Sequence, residues 1–320
     1  MGERDLIRIA TRASELALRQ AHVVQAELAR RGVEAELTTF KTTGDRKLDE
    51  PLSAIGGKGL FTRELEAALA KGSVECCVHS LKDLPTESPE GLTIVAVLDR
   101  EDPRDVLVIN DVIDAESLSE IPRGSRIGTS SLRRRALLLA TRPDLEVVEL
   151  RGNVPTRLRK VDDGQVHAAI LAAAGLHRLG AHQRIRAYLE PPDWLPAAGQ
   201  GAIAVQIREA DGRMRELLAP LDDEPKRTAT RAERAILAAL EGGCQVPIGA
   251  LAAEEPRGLV LHGMIAEPGG RAVVRGDRAV DRSDPELSGV RLANDLRPRG
   301  GTEILGKLRS VERVPAPQPK

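Results

Sequence analysis

The stretch LIRIATRASELALRQAHVVQAELARRGVEAELTTF, residues 6 to 40, decides the fold. Its opening LIRIATR alternates apolar and polar residues as a strand does. Residues 14 to 30 then carry Leu16, Gln20, Val23, Val24 and Leu28 at helical spacing, and VEAELTTF alternates again. Gly32 stops the helix as a C-terminal cap would. Strand, helix and strand in this order make a βαβ unit, which calls for a parallel or mixed sheet.

The same rhythm continues outward. LFTRELEAALAKG reads as a helix and VECCVHS as a buried strand. It then restarts: DVLVIN and SRIGTS read as strands, SLRRRALLLA as helix, LEVVEL as strand, VPTRLRKVDDG as helix and HAAILAA as strand. Two similar α/β lobes follow. REDPRD at 100–105 and PPDWLPAAGQG at 191–201 are polar or Pro-containing stretches suited to crossovers. Two crossovers return the chain to its first lobe and leave a hinged cleft, where a ligand meets strand C-termini and helix N-termini. From Glu224 the composition shifts to the helix TATRAERAILAALEGG and the strands GLVLHGMIAE and RAVVRGDRAV, a smaller α+β domain. The expected domains are residues 1–99 with 200–219, residues 105–194, and residues 223–320.

At 320 residues, 41% apolar and 30% charged, the chain is globular and long enough for two or three cores. Aromatic residues contribute only 1%, so stacking platforms for single-stranded nucleic acid are not expected. Lys and Arg number 47 against 48 Asp and Glu, and the net charge of −1 gives no bulk attraction to DNA or an anionic membrane. MGERDLIRIATR has charges where a signal peptide needs apolar residues, so a cytoplasmic protein is expected. Cys76, Cys77 and Cys244 lack CxxC spacing, and no HExxH-like pair occurs among the histidines, so neither a zinc site nor another metal centre is expected.

Three strand-to-helix junctions carry arginines beside hydroxyls. GTSSLRRR places Thr129, Ser130 and Ser131 at a helix start with Arg133 and Arg134 just inside it. LRGNVPTRLRK adds Arg151, Gly152 and Arg157, and ATRAS adds Arg12 and Ser14. Each alone suits a solvated basic face; three on two lobes point to a cleft for a polycarboxylate or polyphosphate. GGKGLF lacks the Ser or Thr of a phosphate loop after Lys58 and reads as a loop over the cleft or as a plain turn. VHSLKDLP ends a buried strand with the polar His79, Ser80, Lys82 and Asp83, which belong at a ligand crevice; Asp83 is a carboxylate placed either to handle a proton or to begin a turn. In EGGCQVPIG, Cys244 is either inert packing or a thiol held out of regular structure to react.

RIATRAS, TTGD, GGKGLF, VHSLKDLP, REDPRD, GTSSLRRR, LRGNVPTRL, LAAAGLHRLG, GQGAI and EGGCQVPIG occur in this order over roughly residues 7 to 250. Together they resemble the porphobilinogen deaminase (hydroxymethylbilane synthase) family. The resemblance implies two lobes like those of type II periplasmic binding proteins with a hinged cleft, plus a small α+β C-terminal domain. It implies a dipyrromethane cofactor joined by a thioether to Cys244, and a monomeric transferase without nucleic-acid or membrane partners. The implied reaction deaminates porphobilinogen and joins four units head to tail into hydroxymethylbilane for tetrapyrrole and heme biosynthesis. Asp83 matches the family's catalytic aspartate. Cofactor contacts are implied for Lys82, Asp45, Thr129, Ser130, Ser131, Arg133, Arg134, Gly152 and Arg157. Substrate contacts are implied for Arg12, Ser14, Lys58, Phe61, Arg151 and Arg178.

Two departures stand out. Ala54 occupies a position where some members carry a further lysine, and Cys76 and Cys77 replace commoner small or aliphatic residues; both cysteines are expected to be buried. The rival reading is a two-lobed anion sensor, which has no use for a special thiol.

Overall fold

The computed structural model describes residues 6–46, 59–98, 100–240 and 246–312, with side chains as far as 308. Strands β1 (Ile7–Arg12), β2 (Ala35–Phe40), β3 (Cys76–Ser80) and β4 (Leu92–Val97) begin one sheet. The chain then crosses over. β5 (Asp105–Ile109), β6 (Arg126–Gly128), β7 (Glu146–Val148), β8 (Ala168–Ala172) and β9 (Ala187–Leu189) form a second sheet before β10 (Ile203–Arg208) returns to the first.

The two sheets share one plan. Their orders are β2-β1-β3-β10-β4 and β7-β6-β8-β5-β9, so each runs second, first, third, crossover strand, last. The first three strands of each are parallel, and the crossover strand is antiparallel to both its neighbours. Each lobe therefore holds one strand that entered from the other, and the two crossovers run side by side as a double hinge.

Helices cover the sheets. α1 (Glu15–Arg30), the short α2 (Thr43–Arg46) and α3 (Arg63–Ala70) belong to the first lobe. α4 (Leu132–Thr141), α5 (Val154–Asp162) and α6 (Ala173–Arg178) belong to the second. α1 is capped by Ser14, whose Oγ accepts the Ala17 N–H, and it buries Ala21, Val24 and Leu28 against Ile7, Ile9, Val95 and Val205. Val23, expected on that face, is exposed instead. After α7 (Gly212–Leu218), α8 (Glu224–Ala239) leads into the sheet β11 (Ile248–Glu255), β12 (Gly258–Ala266) and β13 (Val273–Ala279). α9 (Pro285–Leu296) packs beside α8, and α10 (Thr302–Glu312) follows. Leu251 and Met264 of this last sheet join Leu137, Leu138, Trp194 and Leu195 in one apolar cluster, so the C-terminal domain and the second lobe share a core.

Cys76 and Cys77 are fully buried free thiols in β3. Burial pushes the Cys76 thiol up to about 12, which leaves it inert as a nucleophile.

Candidate functional site

β3 ends at Ser80, and a single 3-10 turn, Leu81–Asp83, brings Lys82 and Asp83 to the strand's C-terminal edge. Buried Leu81 fixes this turn to the hinge through its N–H, which donates to the Ala202 carbonyl at 3.0 Å. Facing it across the lobe junction is a cavity of about 80 Å³. Gln20 and Ser80 line it from the first lobe with Lys82, and Arg134, Arg157 and Arg178 line it from the second. Arg134 comes from the opening turn of α4 and Arg157 from that of α5, while Gln20 lies in the second turn of α1. These helices are capped by Ser14, Ser131 and Asn153, so their positive ends meet at the cleft.

Arg134 is buried here, while Lys82, Arg157 and Arg178 are half-buried at the cavity wall. Lys82 donates to Gln200 Oε1 at 3.1 Å. Burial and the Arg134 charge push its ammonium down to about 8, against the opposing pull of Asp83 and Asp105. Arg157 donates to the Gly152 carbonyl at 2.8 Å, and burial with the nearby Arg134 and Arg151 lowers it to about 10. Arg178 donates to the Gly201 carbonyl at 2.6 Å. Arg134 spends Nη1 on the Ile170 carbonyl and Nη2 on Asp105, but its Nε is buried with no protein partner.

Arg133 behaves differently. It is buried, bonded at 2.7 Å to Asp105 and at 2.6 Å to the Leu195 carbonyl, and it does not line the cavity. Asp105 is fully buried and also accepts from Trp194 Nε1 and Gln200 Nε2. Burial opposes its ionisation, yet Arg133 and Arg134 outweigh that and hold its carboxyl well below the usual carboxylate range. The GTSS hydroxyls are engaged locally: Ser130 Oγ donates to the Leu150 carbonyl, Thr129 Oγ1 accepts from Ser131 N, and Ser131 caps α4. Arg151 is buried on the same junction, one residue before Gly152. Gly152 has φ of +116° and a Cβ there would stand 2.8 Å from Thr156, so glycine is required.

Around Asp83 the first lobe builds a second group. Arg12 Nη1 stands 3.6 Å from Asp83, while its Nε and Nη2 form a forked pair with Asp45. The Phe61 ring lies under the Arg12 guanidinium at 4.4 Å. Gly44 of the TTGD motif admits that ring, because a Cβ there would lie 2.2 Å from it. Burial lowers Arg12 but its bonds to Asp45 and the Asp83 charge outweigh this, and Arg12 remains a cation. Lys58 and Cys244 lie outside the described residues. Ser80 stands at the cavity, as its place among the polar residues closing the VHSLKDLP strand leads one to expect. Gln20, Gln200 and Asp105 do not stand out as site residues in the sequence; Gln200 lies in GQGAI and Asp105 in REDPRD, but nothing local marks either side chain.

His79, one residue before Ser80, is buried with Nε2 unpartnered, and burial together with the Arg12 charge lowers it to about 4. Unfolded, it titrates near 6.5. The unfolded chain therefore binds a proton that the folded chain refuses as pH falls from about 6.5 to 4, and stability drops across that window by up to about 3 kcal/mol. His79→Gln is expected to flatten this fall, read as urea midpoints at pH 7 and pH 5. Parallel midpoints in the two proteins would assign the acid sensitivity elsewhere.

Comparison with known proteins decides the family. Residues 7–216 match the family model described as porphobilinogen deaminase, dipyromethane cofactor binding domain, and residues 228–298 match porphobilinogen deaminase, C-terminal domain. The chain is 47% identical over 305 residues to the porphobilinogen deaminase of Syntrophobacter fumaroxidans, covering 95% of this chain and 98% of that one. The chain belongs to the porphobilinogen deaminase family. As a porphobilinogen deaminase it is a transferase of tetrapyrrole biosynthesis, a hydroxymethylbilane synthase, with dipyrromethane as cofactor. Among solved structures, the methionine-binding protein MetQ overlaps at a TM-score of 0.45 with 16% identity, covering 75% of this chain and 95% of that one. A periplasmic substrate-binding protein of an ABC transporter from Coxiella burnetii overlaps at 0.43 with 18% identity, covering 68% and 92%.

The cavity's chemistry fits the family's cofactor. Two pyrroles, each with an acetate and a propionate, bring carboxylates to a site whose buried donors are cationic and include an orphaned Arg134 Nε.

Proposed function

We propose that this hydroxymethylbilane synthase carries its dipyrromethane on Cys244 and works on the reacting pyrrole from Asp83. The observation that supports this most is the cluster of Lys82, Arg134, Arg157 and Arg178 around one cavity at the lobe junction, with Asp83 on the adjoining turn. Bound there, dipyrromethane supplies a pyrrole carbon as the primer for chain growth. Lys82, Arg134 and Arg157 hold its carboxylates, with Asp45, Thr129, Ser130, Ser131, Arg133 and Gly152 shaping that side. Arg12, Ser14, Lys58, Phe61, Arg151 and Arg178 receive the incoming porphobilinogen. Asp83 offers its carboxylate to the pyrrole N–H, stabilises the positive charge that develops as ammonia leaves, and takes up the proton as the next ring attacks.

The domain division proposed is 1–99 with 200–219, 105–194 and 223–320, which gives each of the three sheets its own unit. No helix among the described residues is long and apolar enough to cross a membrane. A monomeric, cytoplasmic enzyme without nucleic-acid or membrane partners belongs to the same reading.

Intact-protein mass spectrometry of the purified, active protein tests it. The expected mass is that of the chain plus one dipyrromethane, and proteolysis should place the added mass on the peptide containing Cys244. An unmodified chain in active protein, or an adduct on another peptide, would reject the assignment.

A further inference from the structure

The turn that carries Lys82 and Asp83 is held from outside its own lobe. Arg234, on α8 at the start of the C-terminal domain, reaches across to the segment following β3. Its Nη1 donates to the carbonyls of Leu81 and Leu84 at 3.3 and 3.2 Å, and its Nη2 to those of Pro85 and Thr86 at 2.5 and 3.3 Å. One planar guanidinium thus gathers four backbone acceptors that flank Asp83 on both sides. No other side-chain type presents donors in such a rigid fork.

The helix that bears Arg234 is itself locked to the hinge. The preceding residue, Glu233, is 0% exposed and takes a forked pair from Arg100 at 2.6 and 3.0 Å, the Gly199 N–H at 2.7 Å and the Ala252 N–H at 2.9 Å. Arg100 lies in the first crossover and Gly199 in the second. Consecutive residues of α8 therefore grip the hinge and the Asp83 turn, and the same helix ends at Ala239, five residues before Cys244.

We propose that Arg234 is a positioning residue for the deaminase reaction. It fixes the Leu81–Thr86 segment relative to the C-terminal domain and thereby sets where the Asp83 carboxylate stands relative to the chain anchored on that domain. The proposal rests on the reading of Asp83 as the proton-handling group. Loss of the fork frees four carbonyls and lets the turn shift, and a misplacement of about 1 Å costs on the order of 10²-fold in rate. Carboxylate binding does not pass through Arg234, so affinity for substrate is preserved.

The test compares Arg234→Leu and Arg234→Lys holoenzymes, each checked by intact mass for attached cofactor and by thermal unfolding. Arg234→Leu is expected to lose roughly 10- to 100-fold in kcat with KM within about twofold, and Arg234→Lys to recover part of the loss. Single-turnover rates in an Asp83→Asn background supply the decisive comparison: there Arg234→Leu should cost nothing further. An equal loss in both backgrounds, or no loss beside native Asp83, overturns the positioning role. Should Arg234→Leu fail to fold, the same comparison is made with Arg234→Lys. Normal turnover by Asp83→Asn alone would instead remove the catalytic reading on which the proposal stands, and that result is visible without any change at Arg234.

Discussion

Asp83→Ala is expected to lower kcat by about 10²- to 10⁴-fold, the usual contribution of a positioned acid–base group, while the protein keeps its covalent cofactor. The separation of turnover from binding follows from the charges. Asp83 stands 3.6 Å from Arg12 and contributes to the fields at Lys82 and Arg157, raising both. Its removal leaves those cations with less competition for a ligand carboxylate, so KM should not rise at neutral pH. It also withdraws support from the Lys82 ammonium, already lowered to about 8 by burial and Arg134, so Lys82 should lose its proton at a lower pH in the variant. The fall of turnover on raising pH, as the cofactor's carboxylates lose the Lys82 charge, is then expected to begin earlier than in the native enzyme. Steady-state kinetics across pH 7 to 9, with intact mass to confirm the adduct, check both parts. Near-normal kcat would take the proton-handling role away from Asp83.

Much of the fold was legible because periodicity reports which face of an element is buried. The βαβ start, the restart at Asp105, and the helices α4, α5 and α8 all stand where alternation or helical spacing put them. The strands not foreseen share a physical cause. β4 (LTIVAV) and β10 (IAVQIR) lie against each other on one side of the first sheet, β9 is only three residues long, and β11 is nearly continuous apolar sequence. Strands of these kinds carry little alternation to read. In the site, arginines beside helix starts announced an anion cleft, but spacing alone could not divide Arg133, turned towards Asp105 and Leu195, from Arg134, which reaches the cavity. That division depends on Asp105, an acid at the first position of a crossover strand, which nothing in its local sequence sets apart. Gln200 was hidden for the same reason. It receives Lys82 from one lobe and donates to Asp105 of the other, a relation made only when the second crossover folds back beside the first.

That hidden carboxylate carries the largest stability effect expected here. Asp105→Asn preserves shape but leaves Arg133 and Arg134 buried side by side without their shared anion, and breaking such a pair from one side costs about 3–5 kcal/mol. Arg133 feels this most: burial and the Arg134 charge already lower its guanidinium, and Asp105 opposes them. The amide can keep only some of the contacts, because its NH₂ cannot accept from Arg134 Nη2, Arg133 Nη1, Trp194 Nε1 or Gln200 Nε2 as the two carboxylate oxygens do. Chemical and thermal unfolding of the purified variant measure the loss. Adding Arg133→Met should restore part of it, since that removes one stranded charge and puts an apolar chain where the guanidinium met Asp105 and the Leu195 carbonyl. The second change must help stability without helping turnover, because the relay from Asp105 through Gln200 to Lys82 stays broken. A loss below about 1 kcal/mol for Asp105→Asn would show that the paired arginines are hydrated or rearranged and that the buried anion does not hold the lobe junction together.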